Sequence, residues 1–342
     1  MKIIALSNSI HQARILIFMY RLLVFLFIFS CLACKKESWN DDGLQQIALP
    51  FTGAGKLYDV HVDADARIHI VGGQRLERND FFQSNNHGLH WQVQHFDAVE
   101  YSNKAIFCFA ESERFLFGGS FDGKVFRAAK SDQPEWKLFL GDFWWYSFTG
   151  MHFNAQNQAL IAANNGFEHG LIVRVDEDLN VLQVDSFPFA INDVYFADEH
   201  TAFAVGYGAV LRSSDGGRSW RQLQLTDDNY RAITITENNT IWIVGFNGTI
   251  AKSTDHGNSF TKVKNGQNPF SNTDRYIDVA FKGQRGYIVG EKGVVLSTED
   301  GGAHWQRMKR FTREDLRAVC FHPHRSTAYF AGSNNVAFSY EY

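Results

Sequence analysis

Four times the chain writes the same eight-residue pattern, Ser/Thr-x-Asp/Asn-x-Gly-x-x-aromatic. The copies are SNNHGLHW (84–91), SSDGGRSW (213–220), STDHGNSF (253–260) and TEDGGAHW (298–305). A short acidic or amide side chain in such a segment accepts backbone N–H groups of its own turn. The glycine supplies a backbone conformation that a Cβ would oppose, and the aromatic folds beneath the turn. Four copies define an array of one supersecondary unit, and an array cannot bury its apolar faces unless the units stack. We assign the repeated residues to this structural task, with no catalytic or metal role: Ser84, Asn86, Gly88 and Trp91; Ser213, Asp215, Gly217 and Trp220; Ser253, Asp255, Gly257 and Phe260; Thr298, Asp300, Gly302 and Trp305.

A strand pair precedes each copy. An apolar run ends in a small residue, a short turn follows, and a second apolar run enters the motif, as in TAFAVGYGAVLRS (201–213), TIWIVGFNGTIAKS (240–253) and RGYIVGEKGVVLS (285–297). Upstream lies one more alternating strand, such as Val194-Tyr195-Phe196 or Val279-Ala280-Phe281. The same grammar exposes degenerate copies around 114–126, 159–173 and 327–339. Turn markers therefore fall at Gly72, Gly118, Ala163, Gly206, Gly245, Gly290 and Gly332, 39 to 46 residues apart. That spacing suits a four-stranded propeller blade. The seventh unit lacks its outer strand because the chain stops at Tyr342, while a lone strand-like segment, LQQIALPF (44–51), precedes the first unit. The reading is an all-β, seven-bladed propeller of four-stranded antiparallel blades, its ring closed when 44–51 completes the last blade. Closure of this kind removes exposed strand edges.

The linked pattern VGxxGxxxxSxDGGxxW, clearest at 205–220 and 289–305, resembles the photosystem II stability and assembly-factor-like propellers of the BNR/Asp-box repeat class. Some copies also carry an arginine before the first strand, in YRAIT (230–234) and LRAVC (316–320). The resemblance covers 44–342 at the level of fold and is strongest in the second half. It implies a non-enzymatic scaffold that binds a partner protein. Fold alone does not transfer that role, so the portable content is a rigid exported scaffold that binds an envelope protein or a glycan.

The alternative is a glycoside hydrolase of sialidase-like type, because sialidases also carry Asp-boxes. Such an enzyme needs an arginine cluster for the substrate carboxylate, a tyrosine with a glutamate partner and an acid. The usual Arg-Ile-Pro signature is missing; the first blade reads LYDVHVDADARIHIVGG. GGSFDG (118–123) is one residue short of a nucleophile elbow, and GYG (206–208) lacks the third glycine of a dinucleotide fingerprint. CFHPHR (320–325) alternates Cys320, His322 and His324, but Pro323 breaks the strand that would make them converge. DADAR (63–67) and DEDLN (176–180) read as solvated acidic turns rather than calcium sites. No cofactor and no metal are expected. Cys108 and Cys320 sit in apolar strand-like runs of non-neighbouring blades and read as buried hydrophobes.

The informative residues lie in the links from one blade to the next, on the face opposite the Asp-box turns. These links carry Trp144 and Trp145 in FWWY (143–146), Tyr230 and Arg231, Arg275 and Tyr276, and Arg313 and Arg317. Trp, Tyr and Arg dominate interface hot spots, so these eight form the candidate ligand-binding face. About half of the link aromatics are expected to pack between blades.

The N-terminus is a separate object. Lys2, Arg14 and Arg21 are the only charges in residues 1–33, followed by a short apolar run, Leu22 to Phe29. The run falls short of the roughly 20 apolar residues that cross a bilayer. A basic start, a short apolar stretch and small residues before a cysteine resemble a bacterial lipoprotein signal peptide. Residues 1–33 are read as the leader, Cys34 as the lipidated residue with Cys31 as its rival, and 34–43 as a tether. Removing the leader takes away three cations and no acid, so the formal charge of −4 becomes −7. An acidic chain without a basic stripe argues against nucleic acid. The expected location is the bacterial outer membrane, on its periplasmic or outer side, with the lipid as the sole membrane contact and a monomeric propeller.

Overall fold

The computed structural model describes residues 43–50, 55–94, 104–140, 143–266 and 274–342. The leader, Cys34 and all of the tether except Gly43 lie outside the described residues, as do 95–103 and 267–273 in the links that enter blades 2 and 6. The described strands form seven four-stranded antiparallel sheets. Six of them take four consecutive strands each, over 56–94, 106–140, 147–187, 191–222, 230–264 and 276–307. The seventh joins Leu316–Phe321, Thr327–Gly332 and Ala337–Glu341 to Leu44–Gln46 from the other end of the chain.

The closing strand is shorter than the expected 44–51. It pairs Leu44 with Tyr340, Gln45 with Ser339 and Gln46 with Phe338. One further bond follows, from Ile47 N–H to Ala337 O at 2.8 Å. Beyond it Ile47 and Leu49 leave the ladder and pack on the apolar layer between blades 7 and 1.

The Asp-boxes fold as their chemistry requires. Ser213 Oγ donates to Asp215 Oδ1 at 2.8 Å and accepts Gly217 N–H at 2.9 Å. Asp215 Oδ1 also accepts the N–H groups of Arg218 and Ser219, and its Oδ2 accepts the Ser219 hydroxyl at 2.6 Å. Asp255 and Asp300 repeat the pattern. These hydrogen bonds to the ionised form hold Asp215 at about 2 and the other two lower still. The box glycine has a second task. Gly257 sits at φ +76°, and a Cβ there would lie 2.3 Å from the Phe203 ring of the preceding blade. The turn is thus also a packing surface between blades. DADAR and DEDLN are turns of the same kind: Asp63 Oδ1 accepts the N–H groups of Asp65 and Arg67, and Asp176 Oδ1 those of Asp178 and Asn180.

The core lies between blades. Leu160, Ala162 and Ile172 of blade 3 pack on Ile191, Val194 and Ala204 of blade 4, all nearly solvent-free. Trp242 of blade 5 likewise packs on Phe281 and Trp305 of blade 6. Cys108 and Cys320 are free thiols, and burial pushes both well above their ordinary range.

Candidate functional site: the mouth of the central channel

Every inner strand breaks register at the same place. The ladder skips one residue between Leu57 and Asp59, Ile106 and Cys108, Phe148 and Gly150, Ile191 and Asp193, Tyr230 and Ala232, Tyr276 and Asp278, and Leu316 and Ala318. A β-bulge re-aims the unpaired side chain. The seven unpaired residues are Tyr58, Phe107, Thr149, Asn192, Arg231, Ile277 and Arg317, and all seven line one cavity of about 430 Å³ at the centre of the ring.

They form a girdle held by specific contacts. Tyr58 and Phe107 meet edge to face at 4.8 Å, and the Arg317 guanidinium lies over the Tyr58 ring at 5.4 Å. Thr149 Oγ1 donates to Asn192 O, and Arg231 Nη1 donates to Asn192 Oδ1 at 3.2 Å. Arg317 reaches Ser333 Oγ at 3.1 Å and Asp315 at 3.6 Å. Among the described residues Arg231 has no carboxylate partner. Burial, and then the like charge of Arg317, lower its pKa. The girdle therefore presents two mutually repelling guanidinium groups, one of them held only by a neutral amide.

One residue further along, three blades carry an aspartate: Asp59, Asp193 and Asp278. Each Oδ1 accepts the N–H of the next residue in its own strand, at 2.7–2.8 Å. Each Oδ2 accepts an N–H from the inner strand of the following blade: Phe109 at 2.7 Å, Ile233 at 3.0 Å and Val319 at 2.8 Å. Burial pushes these carboxyls up, Asp59 to about 7, Asp193 to about 8 and Asp278 to about 6, against the N–H groups that favour the charge. The corresponding residue of the next blade is small in each case, Cys108, Ala232 and Ala318. The aspartates are thus clasps between blades 1 and 2, 4 and 5, and 6 and 7. A raised carboxyl could serve as a general acid, but here both oxygens of each are already committed to the backbone.

The structure brings Arg231 and Arg317 together at the mouth and leaves Trp144 and Trp145 outside that cavity, 63% and 69% exposed. Arg275 is exposed, stacked on Phe246 at 4.8 Å and paired with Glu291 at 3.2 Å. Arg313 is exposed. Tyr230 and Tyr276 depart from expectation: both are fully buried. Each opens an inner strand opposite a glycine, Gly245 or Gly290, and its ring fills the layer between blades. Their hydroxyls are taken, Tyr230 donating to Asp227 at 2.8 Å and Tyr276 accepting from Lys264 at 2.6 Å. They therefore pack where the sequence reading had them bind. Sequence reasoning missed Tyr58, Asn192 and the three clasps. The signal was present as a recurrent Asp-Val in YDV (58–60), NDV (192–194) and IDV (277–279).

The sequence model of the Photosynthesis system II assembly factor YCF48 family matches residues 175–268 and 226–314. A curated relative, Photosystem II assembly lipoprotein Ycf48 of Synechococcus sp. (strain CC9902), is 33% identical over 123 residues. That match covers 33% of this chain, which thus spans only about a third (35%) of the relative's length. Among solved structures, YCF48 bound to D1 peptide superposes with a TM-score of 0.68 at 15% identity, over 89% of this chain and 98% of that one. YCF48 from Cyanidioschyzon merolae gives 0.67 at 15% identity, over 87% and 99%. A virginiamycin B lyase from Staphylococcus aureus fits equally well, 0.69 at 14% identity over 87% and 99%, so these superpositions speak to fold alone. The chain is thus a seven-bladed propeller whose sequence over 175–314 is similar to the photosystem II assembly factor YCF48 family.

Proposed function

We propose that this protein is a non-enzymatic scaffold that binds an envelope protein through the face formed by the blade-to-blade links. The observation that carries the reading is the pair Arg231 and Arg317 at the channel mouth. A desolvated guanidinium without a carboxylate is poised for forked hydrogen bonds to an incoming one. The Ycf48 likeness supports a protein partner, since one such structure is of YCF48 bound to D1 peptide. The name of the Synechococcus relative, a lipoprotein, supports export and lipid attachment at Cys34, which would tether the propeller to the outer membrane. Exposed Trp144 and Trp145 would also suit stacking on a sugar, which is the specific argument for an envelope glycan as the ligand. A hydrolase is disfavoured because the channel carboxylates are engaged as clasps.

The test is capture from envelope extracts. Charge reversal at Arg231 and Arg317 together should weaken capture of the partner by well over tenfold, given about 2–5 kcal/mol for each buried charged contact. Substitutions at the exposed Asp-box positions Arg218 and His304 should leave it intact. Loss with the Asp-box set and retention with the arginine set would place the binding face on the other side. Polysaccharide in place of protein in the eluate would establish the glycan reading, and turnover of a sialoside would establish the hydrolase.

A further inference from the structure

Trp145 carries two costs at once. It is a bulky residue in the left-handed region, at φ +72°, where side chains other than glycine rarely sit. Its indole is also 69% exposed. The conformation is enforced by Asp122, whose Oδ1 accepts Trp145 N–H at 3.1 Å. Asp122 is itself fixed by Lys104 at 2.6 Å and Lys124 at 3.5 Å. Strain maintained by a dedicated network and used to expose an aromatic points to function rather than to packing.

The indole borders a second cavity of about 410 Å³ on the link face. Leu76, 56% exposed, and Phe121 supply its other apolar walls, and Asn164 and Asn165 supply amides. Arg75 lies over Phe121 at 5.4 Å and, among the described residues, has no ion-pair partner. Arg75, Ser147 and Asn164 line this cavity and the channel mouth alike, so the two adjoin.

Resting on the scaffold reading above, we propose that this cavity is a subsite for one bulky apolar side chain of an extended, acidic partner segment. Leu76, Phe121 and Trp145 enclose the side chain. Arg75 takes a neighbouring carboxylate of the same segment, and the exposed Asn165 amide meets its backbone, since Asn164 Nδ2 already donates to Thr149 Oγ1 and Ile191 O. The occupant is a protein segment because the site offers, side by side, an apolar hollow, amide groups and an unpaired cation, which are the three complements of an acidic peptide.

The probe is N-acetyl-L-phenylalanine, which carries all three groups, set against its uncharged amide. The protein is labelled with 5-fluorotryptophan, and the Trp145 resonance is assigned by its loss in Trp145→Phe. The acid should shift that resonance with half-saturation near ~1 mM, as expected for a ligand of this size. The amide should bind at least about fivefold more weakly, in line with the loss of one charge-assisted contact. Arg75→Gln should erase the difference between acid and amide, and Leu76→Ala should weaken both. No shift of the Trp145 resonance, or equal binding of acid and amide in the unmutated protein, would overturn the proposal. The two readings separate in the capture assay. If Arg75→Gln with Trp145→Ser releases the partner while the Arg231/Arg317 reversal does not, the subsite stands and the channel mouth is not the docking point. If only the reversal releases it, the subsite proposal fails.

Discussion

The carboxylate of Asp193 in blade 4 accepts the backbone N–H of Ile233 in blade 5 at 3.0 Å, linking two inner strands that share no ladder. The same clasp recurs at Asp59 and Asp278. Truncation of Asp193 to Ala strands a buried N–H, at a cost of about 1–3 kcal/mol. Urea unfolding should show that loss for Asp193→Ala. Ala232→Ser, at the corresponding position of blade 5, which carries no aspartate of its own there, should change stability by less than half as much.

The clasps also set a pH dependence. The folded state holds these carboxyls above their unfolded value of 3.8, so it binds more protons than the unfolded chain up to the folded pKa values of about 6 to 8. Their contribution is therefore complete below pH 4 and is lost as pH rises through those values. His152 and His322, held down to about 4 chiefly by burial, act oppositely, contributing above pH 6.5 and losing that contribution as pH falls toward 4. Above pH 6.5 only the aspartates still titrate among these groups. Unfolding free energy should fall between pH 6.5 and 8.5, and Asp193→Asn should flatten that slope. An unchanged slope would count against the clasp as the titrating group.

Blade number, box geometry and ring closure were legible because each rests on a repeated local pattern. Gly257 and Asp255 announce their turn from sequence alone. The channel girdle was less legible because a bulge inverts the alternation that identifies an inward face. Tyr230 looks like a link aromatic, yet the residue skipped after it is Arg231, so the tyrosine turns into the core and the arginine into the channel. Arg231 and Arg317 were named from composition, but their convergence follows only from the shared bulge. The exposure of Trp145 depends on a backbone conformation that no local pattern in FWWY encodes.

Box glycines should be more sensitive than box acids. Gly257→Ala adds a left-handed alanine and a contact at 2.3 Å with the Phe203 ring, so about 2–4 kcal/mol is expected from strain and overpacking together. Asp255→Ala removes exposed turn bonds and should lower the melting temperature less. Neither change should alter capture of the partner once the fraction folded is accounted for, because the Asp-box turns lie on the face opposite the links.

The ring seam gives the last prediction. Leu44–Gln46 is the outer strand of blade 7, and Ala337–Glu341 is its only neighbour in that sheet. Three residue pairs and the Ile47 bond are a small contribution to stability, so loss of 43–50 need not unfold the ring. It would, however, uncover one edge of Ala337–Glu341, a strand of alternating apolar and polar residues that carries no lysine or proline. An uncovered edge of that kind pairs with other chains. Ile47 and Leu49 would also leave the apolar layer between blades 7 and 1. The deletion should therefore yield a protein that keeps its far-ultraviolet dichroism but sediments as concentration-dependent oligomers. Lysine placed at Ser339, whose side chain is half-buried in the intact blade, should restore the monomer in the deleted chain. A deletion that remained monomeric at high concentration would mean that the closing strand does not protect the edge.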